Sequence, residues 1–216
     1  VTLVSDTDRF DRHFAAMPLI AVLRGITPDE VEGIGRGLVA AGFRVLEVTM
    51  NSPEPLEGIR RLAAAVGREA SVGAGTVLDP AEVAQVAAVG GRFIVSPNMN
   101  TDVIRATRAA GLSSAPGVAT PSEGFTALAA GANLLKVFPA EQVGPAVLKA
   151  WRAVFPRDVR LVPVGSIMPD SMPAFVAAGA AGFGLGSALY KPGMTADTVQ
   201  AVAASFVQAW RATQKR

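Results

Sequence analysis

Residues 44–76 read "RVLEVTMNSPEPLEGIRRLAAAVGREASVGAGT". The ends of this stretch, "RVLEVTM" (44–50) and "SVGAGT" (71–76), are rich in β-branched or small residues and too short for helices, so they are expected as strands. Between them, "SPEPLEGIRRLAAAVG" carries helix signals: Ser52 as N-cap, Pro53 in the first turn, acids next, and Gly67 as the stop. Strand, helix and strand in this order make a βα unit of a buried parallel sheet.

The same grammar recurs along the chain. "TPDEVEGIGRGLVAAG" uses Thr27, Pro28 and Gly42; "DPAEVAQVAAVG" uses Asp79, Pro80 and Gly90; "TPSEGFTALAAG" uses Thr120, Pro121 and Gly131; "MPDSMPAFVAAG" ends at Gly179. Further short apolar runs are "LIAVLR" (19–24), "RFIVSP" (92–97), "LSSAPG" (112–117), "NLLKVF" (133–138), "RLVPVG" (160–165) and "GFGLGS" (182–187). With the two runs above they make eight strands in units of roughly 20–27 residues, which points to a single-domain (β/α)8 TIM barrel over residues 1–216. A helix over about 5–16 is expected before it and a final one over about 195–213. An open doubly wound sheet would place a Gly-rich loop after its first strand, and "RGITPDE" lacks one.

Composition narrows the chemistry. The chain has no cysteine, which excludes disulfide and thiolate chemistry and fits a reducing cytoplasm. The formal charge is +2 with scattered basic residues, so no nucleic acid partner is expected, and no apolar run reaches the length of about 18 residues that a membrane span needs. The opening "VTLVSDTDRFDRHF" is too polar for a signal peptide. The single histidine, His13, stands apart from every motif, which argues against a His-based metal site or a Ser-His-Asp triad; no metal and no cofactor is expected. Catalysis must then use lysine, carboxylates, hydroxyls or backbone groups.

Barrel function gathers where strands end. Arg24, Glu47, Thr49, Thr76, Ser96 and Lys136 fall late in their strands, and Gly165-Ser166 and Gly186-Ser187 follow the last two. Lysine and glutamate are almost never fully buried unless paired or functional, yet Lys136 sits in "NLLKVF" and Glu47 in "RVLEVTM". Desolvation lowers a lysine pKa, and the resulting neutral amine attacks a ketone to form a Schiff base, with Glu47 moving protons directly or through water. The negative charge of Glu47 opposes this shift, so burial and Arg24 must offset it. Arg24 suits a substrate carboxylate, and the two Gly-Ser pairs suit capture of an anion by backbone N–H groups. The competing reading is a phosphosugar-binding barrel without catalysis, in which Lys136 and Glu47 form a structural ion pair.

Taken in order, "LIAVLRGITPDE", "AGFRVLEVTMNSPE", "GAGTVLDP", "IVSPNMN", "PGVATPSE", "LLKVFPAE", "VPVGSIMPD" and "GLGSALY" resemble the class I aldolases that cleave 2-keto-3-deoxy-6-phospho-sugar acids, over about 17–214. The resemblance implies a (β/α)8 barrel, a homotrimer, and a phosphorylated sugar acid cleaved to pyruvate and glyceraldehyde 3-phosphate. It implies Lys136 as the Schiff-base lysine, Glu47 as the general acid/base, Arg24 near the pyruvoyl carboxylate, and Thr76, Pro97 and Phe138 lining the pocket. Gly165, Ser166, Gly186 and Ser187 match the phosphate loop positions. Val164 and "MNSPE" (50–54) lean toward the phosphogalactonate-cleaving branch, with the phosphogluconate epimer or dual specificity as the alternative. The family has Gly-Gly where this chain has Gly165-Ser166; Ser166 is either strained there, if φ is positive, or an added phosphate donor.

Overall fold

The computed structural model describes residues 6–215. The outermost residues of the expected 1–216 domain, and residue 5 of the expected first helix, lie outside the described residues. Helix α1 (Asp6–Ala16) precedes β1 (Leu19–Leu23), α2 (Val31–Ala41), β2 (Val45–Thr49), α3 (Pro55–Val66) and β3 (Ser71–Gly75). There follow α4 (Pro80–Ala88), β4 (Phe93–Val95), α5 (Thr101–Ala109), β5 (Ser113–Ala115), β6 (Gly117–Val118), α6 (Pro121–Ala129) and β7 (Leu135–Val137). Helix α7 (Ala140–Val154), β8 (Leu161–Pro163), α8 (Met172–Ala177), β9 (Phe183–Leu185) and α9 (Ala196–Thr213) complete the order. Among the described residues no helix is long and apolar enough to cross a membrane.

All strand pairs are parallel. One ladder runs β5-β4-β3-β2-β1-β9 and a second runs β6-β7-β8. Among the described residues the expected eight runs thus become nine strands, because "LSSAPG" is divided at Pro116 into β5 and β6. Proline has no N–H for the ladder, so pairing lapses there. The carbonyls of Ser114 and Pro116 still accept from Asn133 N (2.9 Å) and Lys136 N (3.0 Å), and Val164 forms a parallel bridge to Gly184. These bonds join the two ladders at both margins, giving an α/β fold on a curled parallel sheet.

The helix grammar holds at some termini and fails at others. Asp79 and Thr120 form full capping boxes with Glu82 and Glu123, and Gly42, Gly90, Gly131 and Gly179 stop their segments with φ between +95° and +115°. The two earliest caps are corrected. Helix α2 begins at Val31 behind Glu30, not behind Thr27, and α3 begins at Pro55 behind Glu54, not behind Ser52. Ser52 is diverted: its hydroxyl accepts from Gly25 N (2.8 Å) and meets Thr49 Oγ1 (3.0 Å), tying the end of β1 to the end of β2.

Alternation along buried strands sets the interior. Ile20, Val45, Phe93, Val95, Ala115, Leu134 and Val162 point inward and pack with Phe10 and Phe14 of α1, while the larger cluster lies between sheet and helices. The Phe10 ring meets Phe93 (5.2 Å between centroids) and Phe14 (5.9 Å). His13 Nδ1 meets Ser71 Oγ at 2.9 Å, and Asp6 and Asp11 pair with Arg92 (3.2 Å) and Arg160 (2.8 Å), each beside the start of a strand. Helix α1 therefore closes the end at which the strands begin and leaves the other end open. Phe10→Ala, at a fully buried ring, is expected to lower unfolding stability by about 3–5 kcal/mol. Urea denaturation checks this; a loss under about 1 kcal/mol would show that the plug is not part of the cooperative core.

Candidate active site

The open end of the curled sheet holds a cavity of about 650 Å³. Its walls include Arg24, Thr76, Pro97, Lys136, Phe138, Val164, Gly165, Ser166, Gly186 and Ser187, which between them come from β7 and the segments after β1, β3, β4, β7, β8 and β9. The structure thus brings ten of the eleven expected residues to one cavity. The eleventh, Glu47, sits deeper, lining a small internal void together with Lys136.

Lys136 is inward-facing on β7 and 5% exposed; Glu47 is inward-facing on β2 and 1% exposed. Room for the carboxylate comes from Gly75 on β3, where a Cβ would strike the Glu47 carboxylate. Burial pushes the Lys136 amine below its usual range, Glu47 pulls it back up and Arg24 pushes it down. Burial likewise pushes Glu47 up, against the opposing pull of Lys136 and Arg24. The two groups therefore feel each other's charge, yet no direct ion pair joins them among the described residues. Lys136 Nζ lies 4.9 Å from the Phe138 ring centroid.

Arg24 stands at the rim and is exposed, with one amino group donating to Asn51 Oδ1 (3.2 Å) and the other to Thr76 Oγ1 (3.4 Å). Thr76 adopts φ +59°, a left-handed conformation rare for a β-branched residue. Such strain persists only where the surroundings fix it, and here it accompanies a hydroxyl that holds Arg24. Ser166 also adopts a left-handed conformation (φ +49°), and its hydroxyl points at Glu141 Oε1 at 3.4 Å, a weak bond.

Several residues at this cavity escaped the sequence reading. Asn51 was visible in "MNSPE", but nothing in the pattern marked it as a partner of Arg24. Tyr190 and Lys191 line the cavity beyond Gly186-Ser187 in a loop without periodicity, and Glu141 reaches Gly165 and Ser166 from the first turn of α7. Only the meeting of separate loops reveals them.

With this geometry in view, comparison with known proteins is specific. Residues 10–205 match the family described as "Aldolase: KDPG and KHG aldolase", and the chain belongs to that family. A 2-dehydro-3-deoxy-6-phosphogalactonate aldolase of Escherichia coli (strain K12) is 44% identical over 195 residues, 90% of this chain and 95% of that protein. The solved structure described as "Native KDPGal structure" is similar at TM-score 0.91 and 42% identity, covering 93% of this chain and 97% of that one. A KDPG aldolase from Legionella pneumophila, with pyruvate captured at low pH as a covalent carbinolamine intermediate, is similar at TM-score 0.82 and 28% identity, covering 94% and 98%.

The charges around Lys136 have opposite signs and so opposite consequences. Glu47→Gln removes the influence that raises the Lys136 pKa and is expected to move its titration to lower pH; Arg24→Gln removes a cation and is expected to move it to higher pH. Competitive labelling of Lys136 with acetic anhydride across pH reads both midpoints, and a shift of reversed sign in either variant contradicts the electrostatic account.

Proposed function

We propose that this chain is a Schiff-base aldolase that reversibly cleaves 2-dehydro-3-deoxy-6-phospho-D-galactonate to pyruvate and D-glyceraldehyde 3-phosphate. The observation that carries the reading is the buried Lys136 amine at the floor of the cavity, with Glu47 behind it and Arg24 at the rim. The carbinolamine seen with pyruvate in the Legionella relative and the name of the Escherichia coli relative support the chemistry and the substrate.

In this mechanism the neutral Lys136 amine adds to the C2 ketone, and loss of water gives a protonated imine. Glu47, through water, takes the proton of the C4 hydroxyl. The C3–C4 bonding pair moves into the imine, an enamine forms, and glyceraldehyde 3-phosphate departs. The proton held by Glu47 returns to C3 of the enamine, and hydrolysis frees pyruvate and Lys136. Arg24 binds the substrate carboxylate, Thr76 and Pro97 shape its surroundings, and Phe138 shields the lysine. Gly165, Ser166, Gly186 and Ser187 take the phosphate, and Val164 faces the middle of the substrate.

Further parts of the reading are one closed (β/α)8 barrel within a single domain, a homotrimer and a cytoplasmic location. The bridge between Val164 and Gly184 supports closure. The C4 epimer, the phosphogluconate substrate, is the alternative, because Val164 offers no hydrogen bond to sort the C4 hydroxyl.

Borohydride reduction in the presence of pyruvate is expected to add a pyruvate-derived mass to the Lys136 peptide, and Lys136→Ala to lower kcat/KM by about a thousandfold or more. An unlabelled Lys136, or activity that survives Lys136→Ala, defeats the mechanism. A noncatalytic phosphosugar-binding barrel would show stabilisation by ligand without turnover. Higher kcat/KM on the galactonate-type epimer than on the gluconate-type epimer is expected; the reverse order reassigns the substrate.

A further inference from the structure

A second cavity, of about 380 Å³, lies at the closed end of the sheet, where α1 meets the ends of α3 and α4 and the starts of β3 and β4. Four arginines line it: Arg9 from α1, Arg60 from α3, Arg68 before β3 and Arg92 before β4. Among the described residues no carboxylate-bearing side chain is on its walls. Small residues keep it open. Ala63, Gly67 and Gly90 contribute to the lining, and a Cβ on Gly90 would come within 3.2 Å of the Ala63 methyl.

The arginines differ in what they already hold. Arg60 is fixed by Glu57 through Nε (2.7 Å) and one amino group (2.6 Å). Arg92 Nε pairs with Asp6 at 3.2 Å, which leaves its two amino groups outside that pair. Arg9 makes one long bond, 3.4 Å, to the Gly67 carbonyl, and the Arg68 side chain has no hydrogen-bond or ion-pair partner among the described residues. Two guanidinium groups thus lack a carboxylate.

The C-terminal ends of α3 and α4 meet this cavity and favour cations, but a helix end carries only about half a negative charge, so the two ends together leave a positive excess. The excess reaches a neighbour: burial first, and then the charges of Arg9, Arg12 and Arg44, hold His13 below its ordinary value. We infer that this cavity is a binding site for a small oxyanion carrying two or more negative charges, gripped by Arg9, Arg60, Arg68 and Arg92. The guanidinium fork matches the paired oxygens of a phosphate or carboxylate group, and two forks without a carboxylate match two charges. The volume takes a ligand of metabolite size. The site lies at the opposite end of the sheet from the Lys136 cavity and does not depend on the aldolase chemistry.

The probe is inorganic pyrophosphate, titrated into the full chain carrying 15N-labelled arginine, with the Nε–H resonances of Arg9, Arg60, Arg68 and Arg92 each assigned from its own substitution by lysine. The four resonances are expected to move along one saturating curve with a Kd of about 1 mM or tighter, while Arg24, at the open end, follows a curve of its own. The double variant Arg9→Gln/Arg68→Gln should raise that Kd by about tenfold or more, read on Arg60 and Arg92, and leave the Arg24 curve within about twofold. Arg68→Gln alone should raise it by about threefold or more. Shifts that grow without saturating, shifts that sodium chloride reproduces at the same ionic strength, or a Kd unchanged in the double variant overturn the site. If the double variant does not fold, Arg68→Gln decides, because its side chain has no partner to lose, and an unchanged Kd there overturns the site. Citrate titrated in parallel identifies the head group: tighter pyrophosphate assigns a phosphate-bearing ligand, tighter citrate a polycarboxylate, and saturation by neither overturns the inference.

Discussion

Keeping one amine out of water is the constraint on which the rest of the structure depends. Lys136 occupies an inward strand position where an ammonium loses its hydration, and burial is the largest influence on its protonation. Around it the interior is arranged to favour the uncharged form without abandoning polarity altogether. Glu47 supplies a nearby carboxylate whose own ionisation burial also resists. Helix α1 excludes water from the end where the strands begin, through Phe10 and Phe14 packed on Phe93 and their aliphatic neighbours. A helix at one end of the curled sheet and an inward-facing lysine are thus linked through packing along the same inner face.

Small residues make the polar interior possible. Gly75 on β3 leaves the volume that the Glu47 carboxylate fills, Gly73 leaves that taken by the Phe93 ring, and Gly184 on β9 leaves the volume taken by Val164. Strain gathers at the opposite layer, where the loops begin. Thr76 and Ser166 hold left-handed conformations that side chains with a Cβ resist, and each lies on the cavity wall. Thr76 has an evident return in its contact with Arg24. Ser166 takes the left-handed conformation that the sequence posed as one alternative, and it directs its hydroxyl at Glu141.

Much of the fold was legible because its signals are local. Cap, proline, acid and terminal glycine act within one turn of helix, so Asp79, Thr120, Gly90 and Gly131 could be read in isolation. Ser52 and Thr27 carried the same signals and did not cap. Ser52 found a neighbour on the β1 side of the sheet, and Thr27 became the donor to Glu30 rather than the start of α2. Pro116 was likewise visible, but its effect on the ladder depends on whether a partner strand asks for its missing N–H.

The sequence by itself determined which residues are out of place. A lysine and a glutamate among aliphatic strand neighbours announce desolvation wherever the chain folds, because strand alternation and the cost of burying charge are properties of the chain. Tertiary structure alone decided which of these residues meet. Lys136 and Glu47 share one void, and Arg24 leans on Asn51 and Thr76. Nothing in local spacing encodes those meetings; they follow from the order in which the parallel strands pair and the direction in which the sheet curls.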